Sequence, residues 1–153
     1  MPASFDRDLM IVLNDVARLM KTRFDQRARA FGMTRAQWII LARLNRQPGL
    51  SQNEMAAICE VEPITVGRMI DRLEARGLVE RRADPADRRI RRLHLLPAAK
   101  PILEEIWSYK DALHGEIVDG LSEETRKLVV DSLLHIKNNL SGDGISKLAM
   151  AGE

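Results

Sequence analysis

Between Glu62 and Leu95 the chain passes through three features in a fixed order, and few folds accept all three. Pro63 opens a helical apolar stripe, Val66, Met69, Ile70 and Leu73; Gly77 stops it; two extended runs then flank the segment Ala83-Asp84-Pro85-Ala86-Asp87. Proline suits the first position of a helix, where its missing N–H would be unpaired anyway. Gly77 suits a left-handed cap, with Leu78 packing back against the helix. Leu78 to Arg82 and Ile90 to Leu95 read as short strands, and the Asp and Pro residues between them have turn chemistry. A capped helix that runs straight into a hairpin predicts a wing.

Upstream, two capping boxes place two more helices. Thr34-Arg35-Ala36-Gln37 opens one that buries Trp38, Leu41 and Leu44 and stops at Pro48-Gly49, and Ser51-Gln52-Asn53-Glu54 opens a short one through Cys59. Before them, Leu9, Leu13, Val16, Met20, Phe24, Ala28 and Phe31 recur at spacings of three and four, one long helix ending at Gly32. After Pro97 the pattern is helical again. Ile102, Ile106, Tyr109, Leu113 and Ile117 form one stripe, with Pro101 expected in the first turns. Ser122 caps a last helix with the stripe Val129, Leu133, Ile136 and Leu140. The expected organisation is an N-terminal helix over 1–32, a winged helix-turn-helix over 33–96, C-terminal helices over 97–140 and a flexible tail over 141–153. The fold class is mainly α with a two-stranded β-wing.

Charge is informative by position and nearly silent in sum. The net charge is +2, yet residues 33–96 hold twelve Arg, no Lys and eight acids, a local excess of +4. Six of those arginines fall within 81–92, against Asp84 and Asp87. Such a patch suits phosphates; an ordinary solvated hairpin is the plainer alternative. No stretch approaches the roughly 18 apolar residues of a transmembrane helix. The N-terminus lacks the basic and apolar regions of a secretory signal. A lone cysteine, Cys59, excludes an intramolecular disulfide framework and fits a reducing compartment, so a cytoplasmic protein is expected.

The geometry points toward duplex DNA. A major groove about 12 Å wide admits one α-helix. With Val66, Met69, Ile70 and Leu73 inward, the expected outward face of the fourth helix is Glu62, Pro63, Thr65, Gly67, Arg68 and Arg72. Compact residues at its start allow close approach to base edges, and Arg68 suits guanine or a phosphate; the alternative is that Arg68 and Arg72 are solvated beside Asp71 and Glu74.

The run Leu78-Val79-Glu80-Arg81-Arg82, Asp84-Pro85-Ala86-Asp87-Arg88-Arg89 and Leu93-His94-Leu95 resembles the wing of the MarR family, SlyA-type members included. Pro48 to Gln52, Met55-Ala56, Thr65 to Leu73 and Gly77 to Val79 resemble its helix-turn-helix. The resemblance implies a transcriptional regulator acting as a homodimer on a palindromic operator, usually a ligand-responsive repressor. It implies that Arg89 enters a minor groove and Asp87 holds it, that Arg88, Arg91 and Arg92 are phosphate contacts or strand-surface charges, and that Thr65 and Arg68 face the major groove. Glu62-Pro63 and Leu96-Pro97 depart from the family pattern, which places Ser or Thr near the first site and Leu-Thr at the second.

The resemblance implies that the helices of 1–32 and 97–140 come together as a dimerisation region, packing within one monomer being the alternative. It also implies a small anionic or aromatic effector between that region and the head, for which Met10, Arg18, Met20, Arg23 and Trp38 are the candidates; core packing or exposure is the bland reading of each. Cys59 reads as an inert core thiol, a redox sensor being the alternative. His94, His114 and His135 are not at metal-ligand spacing, so neither metal nor cofactor is expected. No phosphate-cradling glycine loop, HExxH or nucleophile elbow suggests an enzyme. The remaining alternative is a winged helix used only for protein contacts, which would be expected to lose its wing arginines.

Overall fold

A computed structural model of the chain describes residues 4–142. The expected tail therefore lies, beyond Gly142, outside the described residues. After a 3-10 turn, Phe5–Arg7, the order is α1 (Leu9–Ala30), α2 (Arg35–Arg46), α3 (Gln52–Cys59), α4 (Pro63–Ala75), β1 (Val79–Ala83), β2 (Arg91–Leu95), a second 3-10 turn (Pro97–Ala99), α5 (Lys100–Val118) and α6 (Glu123–Leu140). The chain divides into two compact units, Met1–Trp107 and Ser108–Glu153.

In the first unit the helix boundaries follow from local chemistry. Asp8 caps α1 by accepting the Met10 and Ile11 N–H groups. Both capping boxes form, Thr34 with Gln37 and Ser51 with Glu54. Each supplies a partner to two backbone N–H groups that a helix start leaves unpaired, worth about 1 kcal/mol per cap. Gly77 sits at φ +70°, and the Leu78 N–H reaches back to the Leu73 carbonyl at 3.0 Å. A side chain is strained at that φ, so glycine is what lets α4 stop and the chain turn into β1. Pro101 is the second residue of α5 and leaves that helix intact.

The core lies between the helices and the wing. Ile40, Leu41, Leu44, Met55, Val66, Ile70, Leu73, Val79 and Leu93 are fully buried. The strands pair antiparallel, Val79 opposite Leu95, Arg81 opposite Leu93 and Ala83 opposite Arg91. Alternate residues of a strand share a face, so Val79 and Arg81 both point to the core side. One contact was absent from the sequence reading: Gly49 N–H donates to Leu93 O, Leu93 N–H to Leu50 O, and Ser51 bridges to Arg92. The turn before α3 thus lies along β2 like the stub of a third strand. Ionic ties add to this frame. Arg27 binds Glu105, Arg35 binds Asp25 at 3.2 Å, and Arg76 donates to the Phe31 and Gly32 carbonyls.

Most of the α1 stripe is uncovered. Leu9, Leu13, Val16 and Leu19 are exposed, and Ala28 is the helix's buried residue. The second unit shows the same. Ser122 caps α6 through the Thr125 N–H, and Arg126 donates to Leu121 O and Val118 O. No residue of α6 is buried; Leu128, Val129, Val130, Leu133, Leu134 and Leu140 are all exposed. No described helix is long and apolar enough to cross a membrane.

Candidate nucleic-acid interface

The start of α4 presents a small exposed face. Pro63 is at N1, Glu62 precedes it without a side-chain cap bond, and Pro63, Thr65, Arg68 and Arg72 are exposed. Ile64 joins them at 66% exposure. Periodicity gives no role to an apolar residue off the buried stripe; the signal of Ile64 is its place in the first turn, apart from Val66 and Ile70. Gly67 requires a correction. Expected on the outer face, it is buried. A Cβ there would stand 2.9 Å from the Gln52 side-chain nitrogen, so Gly67 marks the close crossing of α3 and α4.

The wing tip is organised by two aspartates. Asp84 accepts the Ala86 N–H at 2.7 Å and the Asp87 N–H at 3.2 Å, which folds the turn, and its other oxygen binds Arg92. Asp87 grips Arg89 twice, Nε to Oδ1 and Nη2 to Oδ2 at 3.0 Å each, and accepts the Arg89 N–H at 3.1 Å. The Arg92 bond first, then the turn N–H groups, hold the Asp84 carboxyl below the usual range. Arg89 does the same to Asp87. The Arg89 side chain nonetheless remains 91% exposed. It is charged, fixed in direction and open to solvent. Arg88 and Arg91 are exposed beside it.

The six-arginine patch therefore separates into two kinds. Arg92 is turned inward to Asp84 and the Gly49 carbonyl, and Arg81 to the carboxylates of Asp71 and Glu74. Arg82 pairs with Glu80 along the strand surface. The outward charge is carried by Arg88, Arg89 and Arg91. Between wing and α3 a recess of about 360 Å³ is lined by Ser51 to Glu54 and Arg89 to Arg92.

A separate cleft of about 340 Å³ in the same unit is lined by Ala17, Met20, Lys21, Phe24, Arg35, Trp38, Ile39, Ala42 and Ile106. Of the five effector candidates, Met20 and Trp38 meet there. Met10 is exposed in the first turn of α1, Arg18 pairs with Asp15, and neither they nor Arg23 line it. Arg18 and Arg23 flank the face of α1 that lines the cleft, and Met10 shares that face but lies two turns before Ala17. The cations at the cleft are Lys21 and Arg35. The Trp38 indole N–H is buried with no acceptor among the described residues. No group of three potential metal ligands occurs among the described residues.

A helix-turn-helix, a hairpin wing and a cationic outer face define the class, a winged helix-turn-helix protein. Residues 31–90 match the MarR family. The fold is similar to that of MarR itself (24% identity, TM-score 0.76, covering 99% of each chain). It is similar to the transcriptional regulator SlyA (26%, TM-score 0.77, 89% of this chain and 96% of that one). It is also similar to Staphylococcus aureus MepR in a complex with DNA (25%, TM-score 0.76, 90% and 100%). The match to the family covers the helix-turn-helix and the wing, and the likeness in fold extends over most of the chain.

Proposed function

We propose that this protein is a cytoplasmic, DNA-binding transcriptional regulator that acts as a homodimer on a palindromic operator and represses until an effector binds. The observation that carries the reading is Arg89, solvent-open at the wing tip yet fixed by two bonds from Asp87. A carboxylate facing phosphates is repelled, and Asp87 avoids this by turning to the arginine. A narrow minor groove has enhanced negative potential and attracts such a cation. The α4 face, Pro63, Thr65, Arg68 and Arg72, then addresses the major groove, with Ile64 suited to a thymine methyl. Gly67 serves by letting α3 and α4 close. Arg88 and Arg91 supply phosphate contacts. The MepR complex with DNA supports the same use of the fold.

The exposed stripes of α1 and α6 support a second copy as partner, since apolar surface of that extent on a soluble chain marks an interaction site. The cleft at Met20 and Trp38 supports an anionic or aromatic effector. It is apolar, of ligand size, and has Lys21 and Arg35 at hand. Fluorescence anisotropy of a bound operator across salt concentrations tests the reading. Each neutralised phosphate contributes a slope of about −0.9 in log K against log salt, so a steep fall is expected. A flat response would instead favour a winged helix used for protein contacts.

A further inference from the structure

Arg81 has the charge of the wing-tip arginines and none of their freedom. Its side chain is 16% exposed. Strand alternation sends it to the core side beside Val79, where a guanidinium must find partners or bear a desolvation cost. It finds them on both helices of the helix-turn-helix. Nη2 lies 2.8 Å from Asp71 Oδ1 and donates to the Gly67 carbonyl at 3.1 Å and to Gln52 Oε1 at 3.4 Å. Nη1 donates to Glu74 Oε1 at 3.2 Å, and Glu74 Oε2 accepts the Arg81 backbone N–H at 3.2 Å. Gln52, on α3, donates its amide to the Pro63 carbonyl at 3.3 Å. One guanidinium thus ties β1 to α4 and, through Gln52, to α3 and the first residue of α4.

We infer that Arg81 is a positioning residue for DNA readout, a clasp that fixes the wing root against α4 so that Arg89 and the α4 face meet the duplex at one spacing. This rests on the DNA-binding reading above. A two-stranded hairpin alone is marginal in water, so the wing's direction has to be set from outside it. An interface already in its bound arrangement loses less ordering entropy on binding. As a phosphate contact Arg81 would have to leave two carboxylates, and would leave them facing DNA.

Charge and position make opposite predictions for one substitution. Glu74→Gln removes a negative charge near the DNA face, so a plain charge effect tightens binding. The clasp requires the reverse: weaker binding to the specific duplex by about tenfold, with binding to an unrelated duplex changed by less than about threefold. Arg81→Met should give the same pattern with the salt slope unaltered, because no phosphate contact is lost. Gly67→Ala, which drives Gln52 from its partners while favouring the helix, should also weaken specific binding at an unreduced melting temperature; it keeps the test open if Arg81→Met fails to fold. The experiment is an anisotropy titration of the full-length protein and these variants, on a duplex recovered by selection and on an unrelated one, at several salt concentrations. Unchanged or tighter specific binding by Glu74→Gln overturns the clasp. So does a slope reduced by about 0.9 in Arg81→Met with equal loss on both duplexes, which would make Arg81 a phosphate contact. Wild-type protein that binds neither duplex overturns the DNA reading itself.

Discussion

Arg89 and Arg81 sit in the same hairpin and meet opposite environments. Arg89 is held from below by Asp87 and faces out; Arg81 is enclosed by Asp71, Glu74 and Gln52. Arg89→Ala should lower operator affinity about tenfold or more, the range for loss of one good groove contact, with the sedimenting species unchanged. Equal binding in an anisotropy titration would remove Arg89 from the interface. The wing should also show a defined pH response. Asp84 and Asp87 titrate below the ordinary range in the folded chain. Their contribution to stability is therefore present above the unfolded pKa of about 3.9 and is lost as pH falls through the lower folded values. Amide exchange at the Asp87 and Arg89 N–H groups should stay slow from neutral pH down to about pH 5, allowing for intrinsic rates, and lose protection toward about pH 3. Cys59 belongs with the quiet residues. Burial pushes its thiol up, and Arg43 offsets this in part. Alkylation at about pH 7.5 should be slower than that of free cysteine, since the thiolate is the nucleophile; faster reaction would point to a reactive thiol.

The helix ends were legible because they are local. Thr34 and Gln37, Ser51 and Glu54, Pro63, Gly77 and Ser122 each act on backbone groups within a few residues, and each does so in the structure. The pairing of Asp87 with Arg89 was implied by the family resemblance, and the structure forms it. What the sequence hid depends on neighbours distant in the chain. Gly67 falls on the expected outer face by helical spacing, and only the passage of α3 beside it explains its burial. Arg81 and Arg92 read as surface charge until Asp71, Glu74, Asp84 and Gly49 are brought to them. The stub of pairing at Ser51 and Arg92 joins segments 41 residues apart and has no local signature. In the apolar cleft, Met20 and Trp38 follow from their sequence positions; Lys21 and Arg35 do not, because a helix position specifies a face but not what lies across from it.

Across the whole chain, the apolar stripes were readable and their partner was not. Periodicity marks the faces of α1 and α6 as needing cover, and the described residues leave them exposed. A second copy is the proposed cover. Leu133→Glu places a charge in the α6 stripe and should move the full-length protein from dimer toward monomer in sedimentation; a dimer of undiminished strength would put the interface elsewhere. Such a dimer would in turn fix what its two heads can read. A two-fold pair of α4 helices sets half-site centres about 10–10.5 base pairs apart, or a multiple of that. Selection of genomic fragments by the purified protein measures this in one experiment. Enrichment of an inverted repeat with that spacing is the expected result, and recovery of fragments no different from an unselected pool would contradict the assignment of this chain as a sequence-reading regulator.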